Sequence, residues 1–181
     1  MLKQKISPTG VIAALLTIGF IWAQWPTKSG TKMPEQWFYV TDGQLGFEVK
    51  FEQEPALETI DADGQNIQLY VAKRKGMDFM LQVIRPGVPD INELEWLEAS
   101  KKLDAESFNG SISLDWNFSR QGRVVHEYVL TNNVHYVNQI RVIFTPEAIY
   151  KLAVAFKERD DSELLTRILT YLDSFTLKNT P

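Results

Sequence analysis

From Trp37 to Leu177 apolar and polar residues alternate with period two in short runs cut by turn residues, and only two stretches switch to helical spacing. In WFYVTDGQLGFEVKF the Asp42-Gly43 pair marks a hairpin bend, after which Phe47, Val49 and Phe51 fall on one face. A second bend, Asp63-Gly64, leads into Ile67, Leu69 and Val71, and Phe79, Leu81 and Val83 alternate in the run that follows. These runs predict an N-terminal meander. PDINELEWLEASKKLDAESFNG predicts the first helix: Asp90 is placed to cap it with Glu93 three residues on, and Asn109-Gly110 supplies the stop. Ile91, Leu94, Trp96, Leu97 and Leu103 define a narrow apolar face, so the helix is expected to be half exposed.

Four more strands are expected beyond it. SISLDWNFS puts Ile112, Leu114, Trp116 and Phe118 on one side, whereas RVVHEYVL, VHYVNQIRVIF and AIYKLAVAF are apolar on both faces, as strands covered on two sides are. In the last of these, Tyr150, Leu152, Val154 and Phe156 share one face and Ile149, Ala153 and Ala155 the other. A closing helix is capped by Asp160 with Glu163, and repeats Leu165, Ile168, Leu172 and Phe175. The expected fold class is therefore α+β, a mainly antiparallel sheet of six to seven strands with helices on both faces in an α/β/α sandwich. No period of 20 to 50 residues repeats, which excludes a solenoid or propeller.

Ahead of this domain, Lys3 and Lys5 precede an apolar run from Val11 to Ala23 broken only by Thr17 and Gly19. The layout predicts one N-terminal hydrophobic helix within residues 1–25, with its start on the cytoplasmic side and the rest of the chain translocated. Two readings stay open. A retained signal anchor would cross the membrane through residues 6–25, with Trp22 and Trp25 in the interfacial belt; a signal peptide would be cut near Ala23, after Ile21-Trp22-Ala23. Residues 26–36 read as a polar linker and residues 37–178 as the folded domain. The domain is expected to be extracytoplasmic, anchored in or secreted into a periplasm-like space.

The chain has 181 residues and is 44% hydrophobic, enough for one sizeable core. Lys3 and Lys5 account for two of its 19 basic residues, so the remainder carries 17 bases against 23 acids, a net charge of −6. With no cluster of basic side chains to neutralise phosphates, a nucleic-acid partner is not expected. The absence of cysteine removes thiolate catalysis, cysteine-ligated metal and a lipoprotein cysteine.

The search for chemistry is short. His126 and His135 are the only histidines; if Asn132-Asn133 formed a two-residue bend, His126 would face Gln139 and His135 would face Leu130, about 13 Å apart along one sheet face. That separation is too large for one metal ion. HEYVL has no second histidine at zincin spacing, and the DADG start of a calcium-like loop ends on Ala72 where a bidentate Glu is required. No phosphate loop or nucleophile elbow occurs, and Asn109-Gly-Ser and Asn117-Phe-Ser match the glycosylation acceptor pattern. No catalytic, cofactor-binding or metal-binding residue is therefore assigned. Trp96, Tyr128 and Tyr136 are the candidate partner-binding residues, because aromatic side chains dominate interface energetics; the competing reading has them finishing the helix–sheet cores.

GFEVKFEQEP, Gly46 to Pro55, is similar to the Gly-Phe-x-Val-x-Phe-Pro-x-x-Pro opening of the PsbP family, and YLDSFTL, Tyr171 to Leu177, to its closing Leu-x-Ser-Phe. The element order also resembles that family, together with related domains that bind the GTPase Ran and bacterial domains of the same fold. Glu52 stands where the family pattern has proline. The resemblance implies a non-enzymatic binding or assembly module, often extracytoplasmic, and carries no functional residue to a numbered position; no cofactor is expected. The expected function is thus a membrane-tethered or exported domain that binds another protein. The alternative is a carrier of a small apolar ligand, held in a cavity lined by Trp96 and Trp116.

Overall fold

The computed structural model describes residues 36–62, 65–74, 76–85, 92–158 and 162–178. The expected N-terminal helix, the linker through residue 35, the Asp63-Gly64 bend and the caps Asp90 and Asp160 lie outside them. Among the described residues no helix is long and apolar enough to cross a membrane.

The described residues open with a hairpin of β1 (Phe38–Asp42) and β2 (Phe47–Phe51). Asp42 makes the bend itself: its Oδ1 accepts from the amides of Gln44 and Leu45 at 2.8 and 2.9 Å, an Asx turn that Gly46 closes at φ 64°. This hairpin does not join the meander. β3 (Ala56–Ala62), β4 (Gln65–Arg74) and β5 (Met77–Arg85) form one half of a separate seven-stranded sheet, and β6 (Gly110–Arg120), β7 (Arg123–Asn132), β8 (Tyr136–Phe144) and β9 (Ile149–Lys157) form the other. The order β3-β4-β5-β9-β8-β7-β6 is antiparallel at every step and joins the two meanders at β5 and β9.

α1 (Glu93–Phe108) crosses between the meanders on one face of the sheet, and α2 (Ser162–Ser174) returns on the other. α1 starts later than expected because Asn92 caps it, its Oδ1 accepting from the Glu95 amide at 3.3 Å. It stops where expected: Asn109 is left-handed at φ 50°, ψ 47°. Leu94 and Leu165, expected on the buried faces, point to solvent; α1 buries Ser100 and Lys101 beside Trp96 and Leu97, and α2 buries Leu164, Arg167, Ile168, Tyr171 and Leu172.

Two cores result, one per face. The α2 core is aromatic and closed by the small sheet, in which β10 (Thr176–Leu177), unforeseen in the sequence, pairs with β2. The two segments that carry the family likeness meet here: Phe47 stacks on Phe175 at 6.0 Å, and Ser174 Oγ accepts from the Lys50 amide at 2.9 Å. β9 is buried on both faces as its sequence requires, with Tyr150, Leu152 and Val154 in this core and Ile149 and Ala153 in the other.

Candidate partner-binding surface

Trp96 and Tyr128 are core residues and not surface anchors. Trp96 stands at the start of α1 and packs edge-on against Phe144 at 5.6 Å; Tyr128 on β7 has no exposed surface. Tyr136 alone of the three candidates reaches solvent, 36% exposed at the start of β8. Trp96 and Trp116 lie on opposite faces of the sheet, so they line no common cavity: Trp96 is in the α1 core, while Trp116 pairs with Glu127, whose Oε2 binds Arg141 beneath the end of α2.

Beneath α1 the chain buries a polar cluster that the sequence did not announce. Lys151 Nζ donates to Asp104 Oδ1 at 2.5 Å and to Ser100 Oγ at 3.1 Å, and the Tyr128 hydroxyl donates to Asp104 Oδ2. Burial, and then the Asp104 charge, push the Tyr128 phenol well above the ordinary tyrosine value. A serine beside a lysine has the composition of a nucleophile and its base. Ser100 has no exposed surface and Lys151 only 2%, so this pair meets no substrate and instead pins α1 to β7 and β9.

On the other face, Arg141 and Glu127 form a buried ion pair at 2.7 Å, completed by Gln139 Nε2 donating to Glu127 at 2.6 Å. Arg141 also donates to the Leu172 carbonyl and to Asp173 Oδ1, while Arg120 donates to the Asp173 carbonyl and carboxylate. α2 has no basic residue in its last turn, so two sheet arginines satisfy its C-terminal carbonyls and complement its dipole.

The histidines end further apart in role than the assumed register implied. β7 runs through Asn132, whose Oδ1 accepts from the amides of Val134 and Tyr136, and His135 occupies a left-handed position at φ 60° in a three-residue connection. His126 therefore faces Val142, and His135 leaves the ladder to sit 3.5 Å from Glu158 at the surface.

What remains open among the described residues are the two edge strands of the sheet, β3 and β6, of which β3 exposes one large apolar side chain, Leu57, and β6 a row of them. Among the described residues β6 is hydrogen-bonded on one side only, and it is exposed along most of its length. Ladder partners point to the same face, so the register fixes where its side chains lie. Leu114, Trp116 and Phe118 pair with Val129, Glu127 and Val125 on the α2 face; Asp115 and Asn117 pair with Tyr128 and His126 on the α1 face. A bulge between Ile112 and Leu114 places Ile112 opposite Leu130 on the α1 face, which corrects the single-sided reading of this strand. Leu114 is 59% and Trp116 38% exposed, side by side on an edge strand. No sequence periodicity distinguishes such a row from a core-facing one; only strand order does.

No model of a protein family and no curated protein matches the chain. Among solved structures it is similar to the solution structure of cyanobacterial PsbP (CyanoP) from Synechocystis sp. PCC 6803, at 10% identity and a TM-score of 0.60 over 84% of this chain and 98% of that one. A crystal structure from Bacteroides thetaiotaomicron matches at 9% identity and a TM-score of 0.38, covering 82% of this chain and 50% of that one. The chain therefore has a PsbP-like fold, shared at the level of architecture and not of sequence.

Proposed function

We propose that this protein is a non-enzymatic accessory domain that binds another protein, tethered to or exported across a membrane by residues 6–25, with β6 as its docking edge. The observation that carries the reading is the exposed Leu114–Trp116 row on a strand whose outer backbone groups have no ladder partner among the described residues. Such an edge accepts a further strand, main-chain hydrogen bonds giving affinity and alternate side chains giving specificity. The PsbP-like fold and the lysine-led apolar run at the N-terminus support the same reading.

Blue-native electrophoresis of gently solubilised membranes from the native source tests it. The full chain is expected in a complex larger than its own 20.8 kDa. Leu114→Lys with Trp116→Lys should release it, while Leu94→Lys, at a residue 67% exposed on α1, should not. Equal migration of the β6 variant and the parent would refute the docking edge, and recovery of the chain wholly in cytosol would refute the tether.

A further inference from the structure

We infer that the occupant of the β6 edge is a second copy of this chain, paired antiparallel about a two-fold axis through Trp116. The inference rests on the docking role proposed for β6 and names the partner. Its basis is a chemical palindrome: Ser113-Leu114-Asp115-Trp116-Asn117-Phe118-Ser119 reads small, apolar, polar, aromatic, polar, apolar, small in either direction.

An isologous contact requires a surface complementary to itself. With Trp116 on the axis, Trp116 meets Trp116 of the partner subunit, Leu114 meets Phe118 of the partner subunit, and Asp115 meets Asn117 of the partner subunit. Apolar side chains then oppose apolar ones on the α2 face, and an amide opposes each carboxylate on the α1 face, the kind of cross-strand pairing that stabilises sheets. Lys101 Nζ, 2.7 Å from Asp115 Oδ2, already neutralises that carboxylate within its own chain. Neighbouring registers fit worse. An axis through Asp115 sets that carboxylate against itself, and an axis through Asn117 sets Leu114 against Arg120 of the partner subunit.

The backbone allows the pairing from Leu114 to Ser119, all of the palindrome but its first residue, Ser113, which sits in the bulge. From Leu114 to Arg120 the ladder with β7 runs without irregularity, and the bulge that disrupts the strand lies before Leu114. β6 itself is electrically balanced, with Asp115 and Arg120 its only charged residues, although the chain beyond residue 23 is net negative. Two copies so joined would share one continuous sheet, and each would cover the exposed row of the other.

The chain's lack of cysteine makes the test direct. Directly opposed residues in an antiparallel pair have Cα atoms about 4.5–5.5 Å apart, within the span of a disulfide. In the full chain, held in detergent micelles, Trp116→Cys should form a disulfide-linked dimer under mild oxidation. Leu57→Cys, 53% exposed on the opposite edge strand, should not. A Leu114→Cys chain mixed with a Phe118→Cys chain should cross-link to each other in preference to themselves.

Sedimentation adds a readout that keeps the tryptophan. Asn117→Lys creates two Asp–Lys pairs across the axis and should lower the dimer dissociation constant roughly two- to thirty-fold, while Asn117→Asp should raise it by a similar factor. Trp116→Cys cross-linking no more than Leu57→Cys, or both Asn117 variants shifting the constant in one direction, would overturn the second copy as occupant. If the Leu114→Lys, Trp116→Lys chain still falls out of its native complex in that case, the docking edge stands with a different protein on it. If it does not, both readings fall.

Discussion

Glu52 is the residue at which the chain departs most visibly from the pattern it resembles, and the structure gives the departure a physical reason. Its carboxylate receives Arg167 Nε at 2.6 Å and Nη2 at 2.5 Å, with neither side chain exposed. A proline there would leave the α2 guanidinium in the core without this counter-charge. Glu52→Gln should cost about 3–5 kcal/mol in urea unfolding, and Glu52→Leu with Arg167→Met should recover most of it, since a buried pair replaced whole by apolar groups is often neutral. Gly110 is constrained by space. A Cβ built on it would lie 2.5 Å from the Thr131 carbonyl oxygen, a backbone atom of the neighbouring strand that cannot swing aside. Gly110→Ala should therefore destabilise by about 1–3 kcal/mol, read from the same urea midpoint at unchanged slope. The sequence marks Gly110 only as a helix stop; its closeness to Thr131 follows from β6 returning beside β7 directly after α1, a tertiary fact.

The two helices are fastened to one sheet by different means, and that difference is the main property of the elements. α2 lies on an aromatic core in which Tyr171 packs against Phe51 and Phe79, each at 5.2 Å, and its buried arginine is matched by Glu52. α1 lies over a seam where Lys151, Ser100, Asp104 and Tyr128 share hydrogen bonds, and where Gln82, the Trp96 Nε1 and the Asn138 Oδ1 are buried without a partner among the described residues. Buried polar atoms left unpaired cost about 1–3 kcal/mol each, so α1 is the less firmly held. Native-state hydrogen exchange should show α1 amides opening at lower free energy than α2 amides. Asp104→Asn should lower α1 protection further, by about 1.5–3 kcal/mol, and leave α2 where it was. Both helices were legible in the sequence, because their stripes and the Asn109-Gly110 stop are local signals. The polar seam was not, since Ser100, Lys101 and Asp104 read in isolation as solvent-facing residues of an amphipathic helix. The bend between β6 and β7 has a weak local signal: its two-residue turn places Gln121 and Gly122 at φ 49° and 72°, with a glutamine where Asn or Asp is the usual residue.

At the scale of the molecule, the sequence showed the two-sided burial of β9, which implies a sandwich, but not that the first hairpin would leave the main sheet. That separation depends on β10, two residues long, reaching β2 from the far end of the chain. The result is one sheet shared by two cores, so loss of the central strands opens both, whatever local opening of α1 precedes it. Alkaline pH tests this, because four of the six tyrosines are held above their ordinary value from both faces. Burial is the first cause in each case, with Tyr150 pushed up to about 12 and Tyr128 and Tyr171 raised well above the usual range. The unfolded chain releases these protons near pH 10 while the folded chain keeps them, so the free energy of unfolding falls as pH rises beyond that point. Their contribution to stability is complete below pH 10 and is lost above it, each tyrosine steepening the fall by up to about 1.4 kcal/mol per pH unit. Phenolate absorbance from these four should therefore appear together with the loss of far-ultraviolet circular dichroism, in one transition. Tyr128→Phe, which removes a titrating group from the α1 core, should make the alkaline decline shallower; a decline of unchanged slope would mean that Tyr128 does not release its proton on global unfolding.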